Sequence, residues 1–173
     1  MSKLDDGKSD GITEPALANA PGPSHARYRR AQTFLLAAVV LGVDQIVKAA
    51  VLLELPVGGT RLGPLFHLRR VQNFGINFGL FADHPGPILL GTLSVGVGFI
   101  VYVIARPPRN WRTLLGFGLM LGGGFSNVLD RLRLGYVFDF LNITPFVGYL
   151  NMADLAIGAG IIVLVADSFW RRD

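Results

Sequence analysis

The sequence contains no cysteine, and this absence removes several kinds of site at once. No disulfide, thiolate metal site or cysteine nucleophile can form, and the chain cannot itself be lipidated on a cysteine. Charged residues are also scarce, at 16% of the chain, whereas 51% of the residues are hydrophobic. A typical soluble domain carries about 25% charged residues. The balance predicts a membrane protein whose chemistry depends on oxygen and nitrogen groups.

Several catalytic motifs are missing as well. The sequence has no Gly-Lys-Ser phosphate loop, no Gly-x-Ser-x-Gly elbow and no His-Glu-x-x-His helix. Its histidines, His25, His67 and His84, lack metal-ligand spacing. We therefore expect no metal and no cofactor. The net charge of +4 does not indicate nucleic-acid binding, because the basic residues cluster beside apolar stretches.

Four apolar stretches are long enough to cross a bilayer, which takes about 20 residues each. They predict an all-α membrane protein with four transmembrane helices in a domain spanning residues 31–173. Residues 1–30 are mostly polar and rich in Gly, Pro, Ser and Asp, which predicts a disordered cytoplasmic tail. The four predicted spans are Gln32–Leu53, Pro87–Ala105, Thr113–Leu129 and Leu150–Phe169.

Arginine clusters predict the orientation of these spans. Basic residues in short loops stay cytoplasmic, so both termini and the middle loop should face the cytoplasm. Residues 54–86 and 130–149 then lie outside. The clusters are Arg27, Arg29 and Arg30, then Arg106, Arg109 and Arg112, then Arg171 and Arg172.

Polar groups within or beside apolar spans are costly, so each is a functional candidate. Asp44 and Lys48 are four residues apart on one helix face, which favours a salt bridge over direct substrate contact. Asp130 is followed by Arg131, and we expect a similar pair in which the guanidinium holds the carboxylate.

Asp139 and Asp154 differ from these because neither has an adjacent cation, and both should lie at the outer membrane boundary. Two facing carboxylates share one proton. The ionised partner can activate water, while the protonated partner donates to a scissile carbonyl and later protonates the leaving nitrogen. The helix dipole favours Asp154 as the ionised partner. The alternatives are an ordinary helix N-cap and a proton relay in a small proton-coupled transporter.

Four motif blocks follow one another along the chain. They are Asp44-Gln45-x-x-Lys48; Asn73-Phe74-Gly75-x-x-Phe78-Gly79; Gly122-Gly123-x-x-x-Asn127-x-x-Asp130-Arg131 continuing to Gly135-x-Val137-x-Asp139-Phe140; and Asn151-x-Ala153-Asp154. Each block alone is weak, but the four in this order and spacing are specific. Through them the chain resembles lipoprotein signal peptidases, the signal peptidase II family, from about Gln32 to Phe169.

The resemblance implies a bacterial inner-membrane aspartyl endopeptidase with a small extracytoplasmic β-cradle, which suits the strand-like run Leu65–Val71. Its substrates would be prolipoproteins, cut on the amino side of a diacylglyceryl-modified lipobox cysteine near the outer face of the membrane. Membrane phospholipid and the inhibitor globomycin are further expected partners. An inactive paralogue that binds precursors without cutting them is the alternative within this family.

The same resemblance assigns roles to individual residues. Asp139 and Asp154 are implied as the catalytic pair. Substrate-binding or site-bracing positions are Asn73, Asn127, Asp130, Arg131, Asn151, Asp44 and Lys48. The chain departs from the usual family pattern at Ser126, Asn77 and Leu150, which affects the expected shape of the pocket.

Overall fold

The computed structural model describes residues 23–75, 85–144 and 148–170. These residues form four helices and three strands. In chain order they are α1 (Pro23–Glu54), β1 (Thr60–Leu62), β2 (Phe66–Asn73), α2 (Pro85–Ala105), α3 (Trp111–Leu134), β3 (Val137–Ile143) and α4 (Met152–Trp170).

The helices confirm a membrane protein fold. Three are long and apolar enough to cross a bilayer, at Ser24–Glu54, Gly86–Ala105 and Met152–Trp170. Many of their large apolar side chains, among them Leu35, Ile46, Leu90 and Ile162, are exposed on the surface of the bundle. A bilayer supplies the apolar surroundings that these side chains require. The fourth helix, α3, has 24 residues, but its glycines and polar side chains make it less apolar.

α3 lies at the centre of the bundle, packed against the other three helices. Successive glycines of α3 allow different helices to approach closely. A Cβ at Gly122 would meet Ala37 and Val40 of α1, and a Cβ at Gly123 would meet the Ala153 carbonyl oxygen of α4. Gly124 has no such neighbour. Small residues thus let α1 and α4 approach α3 closely, as is usual between membrane helices.

The strands form one antiparallel sheet in the order β1-β2-β3. β2 confirms the strand predicted at Leu65–Val71. In the β2–β3 pairing, Asn73 lies opposite Val137 and Val71 lies opposite Asp139. Asn73 and Asp139 are therefore diagonal neighbours on one face of the sheet, close enough for their side chains to meet.

β3 was not predicted, although it carries Asp139. Its first four residues are all buried, so the strand lacks the alternation of a half-buried strand. It begins two residues after Gly135, which caps α3 in a left-handed conformation with a φ of 81°. Leu141 pairs with Leu150 just before α4. This strand therefore ties the end of α3 to the start of α4.

The structure alters the predicted boundary of the N-terminal tail. Residues 23–30, which we assigned to the tail, form the first turns of α1. The remaining tail residues, 1–22, lie outside the described residues, as do Asn77, Phe78 and Gly79 of the second motif block.

Candidate active site

Asp154 lies in the first turn of α4, held by the residue that caps this helix. The Asn151 side-chain oxygen accepts a hydrogen bond from the Asp154 backbone N–H (2.9 Å). In return, the Asp154 carboxylate accepts from the Asn151 backbone N–H (3.1 Å). This reciprocal arrangement is a capping box. It fixes the position of Asp154 relative to the helix axis, so the N-cap alternative and a catalytic role are compatible.

Asp139 is held on β3 by two amide side chains. Asn73 Nδ2 donates to one carboxylate oxygen (2.9 Å), and Asn151 Nδ2 donates to the other (2.6 Å). Asp139 is only 1% exposed. Burial, reinforced by the charge of Asp154, raises the pKa of Asp139 to about 6, although the two amide hydrogen bonds oppose the shift. A proton on Asp139 is therefore available near neutral pH.

Asn151 and Asn127 connect the two aspartates. Asn151 contacts Asp139 through its side chain and Asp154 through its backbone N–H. Asn127 Nδ2 donates to Asp154 (2.8 Å), and its oxygen accepts from Asn151 Nδ2 (3.1 Å). The Asn127 oxygen also accepts from Lys48 (3.2 Å), which fixes the orientation of this amide. The carboxylates thus belong to one continuous network of amides.

A buried ion triad lies behind the aspartates. Lys48 Nζ lies 2.7 Å from a carboxylate oxygen of Asp44 and 2.7 Å from one of Asp130. All three side chains are almost fully buried. The Asp44–Lys48 salt bridge predicted from the sequence is confirmed, and Asp130 joins it from α3.

The triad also binds the backbone beside each aspartate of the candidate pair. Asp44 accepts from the Ala153 N–H (2.8 Å), one residue before Asp154. Asp130 accepts from the Phe138 N–H (3.1 Å), one residue before Asp139. One lysine therefore pairs with both of the carboxylates that position β3 and α4 at the site.

Ser126 and Gln45 complete this network. Neither was assigned a role at the site, although Gln45 belongs to the first motif block. Ser126 Oγ donates to Asp44 (2.6 Å) and accepts from Gln45 Nε2 (2.9 Å). Gln45 also donates to Asp130 (2.8 Å). The sequence signal for Gln45 is an amide inside an apolar span. Ser126 departs from the family pattern, and its hydroxyl is nevertheless fully hydrogen bonded.

The predicted pairing of Asp130 with Arg131 is wrong. Asp130 pairs with Lys48 instead, because successive residues on a helix point in different directions. Arg131 donates to the Gly75 carbonyl (2.9 Å) and, more weakly, to the Asn127 carbonyl (3.4 Å). It therefore holds the chain just after β2 against α3.

A cavity of about 490 Å³ opens beside the aspartates, between α2, α3 and α4. Its polar end is formed by Asn73, Asn127, Arg131 and Asp154. Asp139 lies one layer deeper, behind the amides of Asn73 and Asn151. The remaining lining is mostly apolar and includes Ile88, Gly91, Val95, Phe99, Met120, Gly124, Phe125, Leu150 and Ile157.

All nine residues that the sequence singled out lie at or next to this network. In the described ranges, His, Asp and Glu side chains do not gather into any group of three or more suited to a metal ion. The polar groups of the network are joined by hydrogen bonds, and a largely apolar cavity lies beside them.

Comparison with known proteins agrees with this geometry. Residues 36–170 match the family model described as signal peptidase (SPase) II. A lipoprotein signal peptidase from Moorella thermoacetica is 38% identical over 136 residues, covering 75% of this chain and 87% of that protein. The lipoprotein signal peptidase of Rhizorhabdus wittichii is 34% identical over 153 residues, covering 81% and 87%.

Solved structures show the same fold. A bacterial membrane enzyme solved by the in meso method superposes with a TM-score of 0.73 at 20% sequence identity, covering 82% of this chain and 89% of that one. A second such structure has a TM-score of 0.69 at 21% identity, covering 78% and 90%. The resemblance inferred from the motif blocks is confirmed, and the chain belongs to the signal peptidase II family of aspartic-type membrane peptidases.

Proposed function

We propose that this chain removes the signal peptide from diacylglyceryl-modified prolipoproteins, cutting on the amino side of the lipidated cysteine with Asp139 and Asp154. One observation carries the proposal. Asp154 lines the polar end of an otherwise apolar cavity, and a single amide network joins it to the Asp139 carboxylate. A lipid-anchored peptide presents the same combination, with a polar scissile bond beside acyl chains.

In the proposed reaction, Asp154 takes a proton from the attacking water as its oxygen adds to the scissile carbonyl carbon. Asp139 carries the shared proton, donates a hydrogen bond to the carbonyl oxygen and then protonates the leaving nitrogen. The raised pKa of Asp139 supports its assignment as the proton carrier. The products are a carboxylate on the signal peptide and the free amine of the lipidated cysteine.

The other predicted residues would orient this pair. Asn73, Asn127 and Asn151 direct amide donors at carboxylate oxygens, which sets the direction of each aspartate. Asp44, Lys48 and Asp130 brace the backbone on which the aspartates are carried. Arg131 holds the rim of the cavity near Gly75.

The cavity would accommodate the acyl chains of the lipidated cysteine. Ligand cavities of this size are common, and an apolar lining with a few polar groups at one end fixes the orientation of a ligand. The substrate is anchored in the bilayer, so it can enter sideways between helices. Globomycin would occupy the same cavity and compete with the precursor.

All four helices would cross the inner membrane, with both termini cytoplasmic and the aspartates near the outer face. α3 is about 36 Å long at 1.5 Å per residue. It lies inside the bundle, so it does not need a wholly apolar surface. Membrane phospholipid would cover the outward faces of α1, α2 and α4.

The absence of cysteine makes this topology directly testable. Two single variants place an exposed thiol at opposite ends of the bundle: Arg61→Cys on β1 at one end, and Arg109→Cys before α3 at the other. In spheroplasts, a membrane-impermeant maleimide should label Arg61→Cys, and it should label Arg109→Cys only after lysis. The reverse pattern would invert the orientation, and equal labelling of both in intact spheroplasts would refute it.

Cleavage of a defined precursor tests the function itself. Purified protein is incubated with a prolipoprotein bearing a diacylglyceryl cysteine, with its unlipidated form as the matched control, both in the presence of a chelator. We expect cleavage of the lipidated form only, with mass spectrometry placing the new N-terminus at the modified cysteine. Binding of both forms without cleavage would favour an inactive paralogue.

A proton-coupled transporter is the weaker alternative. A relay needs polar groups distributed through the depth of the bilayer. Residues 155–166 of α4 are entirely apolar or small and span about 18 Å at 1.5 Å per residue. This gap separates Asp154 from the next carboxylate on the helix, Asp167.

A further inference from the structure

The end of the bundle opposite to the aspartates carries a compact group of aromatic and basic side chains. The Arg112 guanidinium lies 5.5 Å from the ring centre of Trp111 and 4.9 Å from that of Trp170. Both tryptophans are mostly exposed, at 65% and 67%. We call these three residues the aromatic–arginine cluster. It joins the start of α3 to the end of α4.

Within the described part of the chain, few of the donors of Arg112 are occupied. Among the described residues its ion pair is with Asp167, at a long 3.9 Å, and the Arg112 side chain is 38% exposed. Asp167 also accepts a closer hydrogen bond from Asn110 Nδ2 (2.9 Å). A guanidinium has five donors in a planar fork that suits phosphate. Arg112 therefore has donors available for an anion arriving from outside.

Further positive charge surrounds the cluster. α1 runs parallel to α3, because Leu36 lies beside Gly118 and Val40 beside Gly122. Counting back six residues on both helices places Arg30 at the level of Arg112. In the described part of the chain, this end carries six arginines and one carboxylate, Asp167. The arginines are Arg27, Arg29, Arg30, Arg106, Arg109 and Arg112.

We propose that the aromatic–arginine cluster is a binding site for the headgroup of an anionic phospholipid. Indole rings favour the membrane interface, where one edge is apolar and the other is wet. Arg112 would bind the lipid phosphate while the tryptophans pack against the glycerol and the upper acyl chains. Arg112 supplies the charge that selects anionic over zwitterionic lipid at the cluster, and the other five arginines add a general attraction for an anionic surface.

This site is distinct from the cavity beside the aspartates. Asp154 and Asp167 lie thirteen residues apart on α4, which corresponds to about 20 Å along the helix. The inference needs only that the chain is embedded in a membrane. It stands or falls independently of the proposed peptidase activity.

The chain offers a clean optical test, because Trp111 and Trp170 are its two tryptophans. The full-length protein is reconstituted in phosphatidylcholine vesicles containing increasing fractions of lipid brominated on the acyl chains. The brominated lipid is either phosphatidylglycerol or phosphatidylcholine. Bromine quenches tryptophan on contact. We expect brominated phosphatidylglycerol to reach half-maximal quenching at a roughly fivefold lower fraction than brominated phosphatidylcholine. This factor corresponds to the attraction of about one arginine to an anionic lipid.

Two variants separate a defined site from diffuse attraction. Arg112→Gln should abolish most of this preference, whereas Arg106→Gln, which removes the same charge at the same end, should leave most of it. Equal quenching by the two lipids in the unsubstituted protein would overturn the proposal. So would equal losses in the two variants. Relief of quenching by inorganic phosphate alone would indicate a site for a soluble anion and would also overturn it.

Discussion

Asp44 on α1 accepts a hydrogen bond from the backbone N–H of Ala153, the residue before Asp154, at 2.8 Å. These residues are 109 positions apart in the sequence. Asp130 makes the equivalent contact with Phe138, the residue before Asp139. Lys48 joins the two carboxylates. The geometry of the candidate pair therefore depends on charges that do not touch the cavity.

Lys48→Met tests this dependence. It removes the cation and leaves the carboxylates of Asp44 and Asp130 buried and facing each other. Removing one partner of a buried ion pair costs about 3–5 kcal/mol, so we expect a marked fall in the free energy of unfolding and a loss of activity. Thermal unfolding in detergent measures the first and precursor cleavage the second. Lys48→Arg keeps the charge and should lose much less. An unchanged unfolding temperature in Lys48→Met would contradict the bracing role.

Asn151→Ser separates the capping role of Asn151 from its contact with Asp139. Serine is about as good an N-cap as asparagine, so α4 should keep its stability. The amide donor to Asp139 is lost, however. A hydrogen bond to a charged group contributes about 1.5–3 kcal/mol, which corresponds to a roughly ten- to hundredfold fall in kcat/KM.

Circular dichroism and cleavage kinetics on the same preparation check both halves of this prediction. Asn151→Ala should lose stability as well as activity, because alanine cannot cap the helix. Full activity in Asn151→Ser would show that the amide is not needed to orient Asp139.

The pH dependence of cleavage follows from Asp139. Burial raises its pKa from an ordinary 3.8 to about 6, so the shared proton is lost as the pH rises through this value. We expect kcat/KM of the free enzyme to fall on the alkaline side, with an apparent pKa near 6. The hydrogen bond from Asn73 lowers the pKa of Asp139. Asn73→Leu should therefore move the alkaline limb to higher pH.

The same pKa shift makes a prediction for stability. The folded state binds the Asp139 proton more tightly than the unfolded chain, so this group disfavours folding above pH 6. This penalty on the free energy of unfolding disappears as the pH falls from about 6 to 3.8.

For the cleavage rate, an alkaline limb of kcat/KM that does not move in Asn73→Leu would argue against Asp139 as the proton carrier.

Adjacent glycines on α3 provide a matched pair of substitutions. Gly123→Ala would press a Cβ into the Ala153 carbonyl oxygen, and such overpacking costs about 1–3 kcal/mol. Gly124 lines the cavity with open space around it. Gly124→Ala should fold normally, and Gly124→Leu should reduce cleavage of precursors with long acyl chains more than of those with short chains. Equal effects on both chain lengths would remove Gly124 from the acyl-binding part of the cavity.

Local sequence patterns were sufficient for the parts of this protein that depend on local order. Hydropathy located α1, α2 and α4, and the spacing of Asp44 and Lys48 predicted their salt bridge. β3 was missed because Val137, Phe138, Asp139 and Phe140 are all buried, which leaves no alternating pattern to detect.

The long-range contacts of the site could not be found from spacing. Lys48 on α1 pairs with Asp130 on α3. Spacing in the sequence does not indicate this contact, so we expected Asp130 to pair with the neighbouring Arg131, which was wrong. Ser126 and Gln45 bind each other although 81 positions separate them. The motif blocks did contain most residues of the hydrogen-bonded network, because each block contributes one part that the fold brings together.

Replacement of each aspartate by asparagine tests the central claim most directly. Cleavage of a diacylglyceryl-modified precursor is compared between the unsubstituted protein, Asp139→Asn and Asp154→Asn, with circular dichroism and thermal unfolding as the controls for folding. We predict that both variants fold and that neither cuts the precursor, because a pair that shares one proton fails when either carboxylate is lost. Near-normal cleavage by either variant would contradict the account.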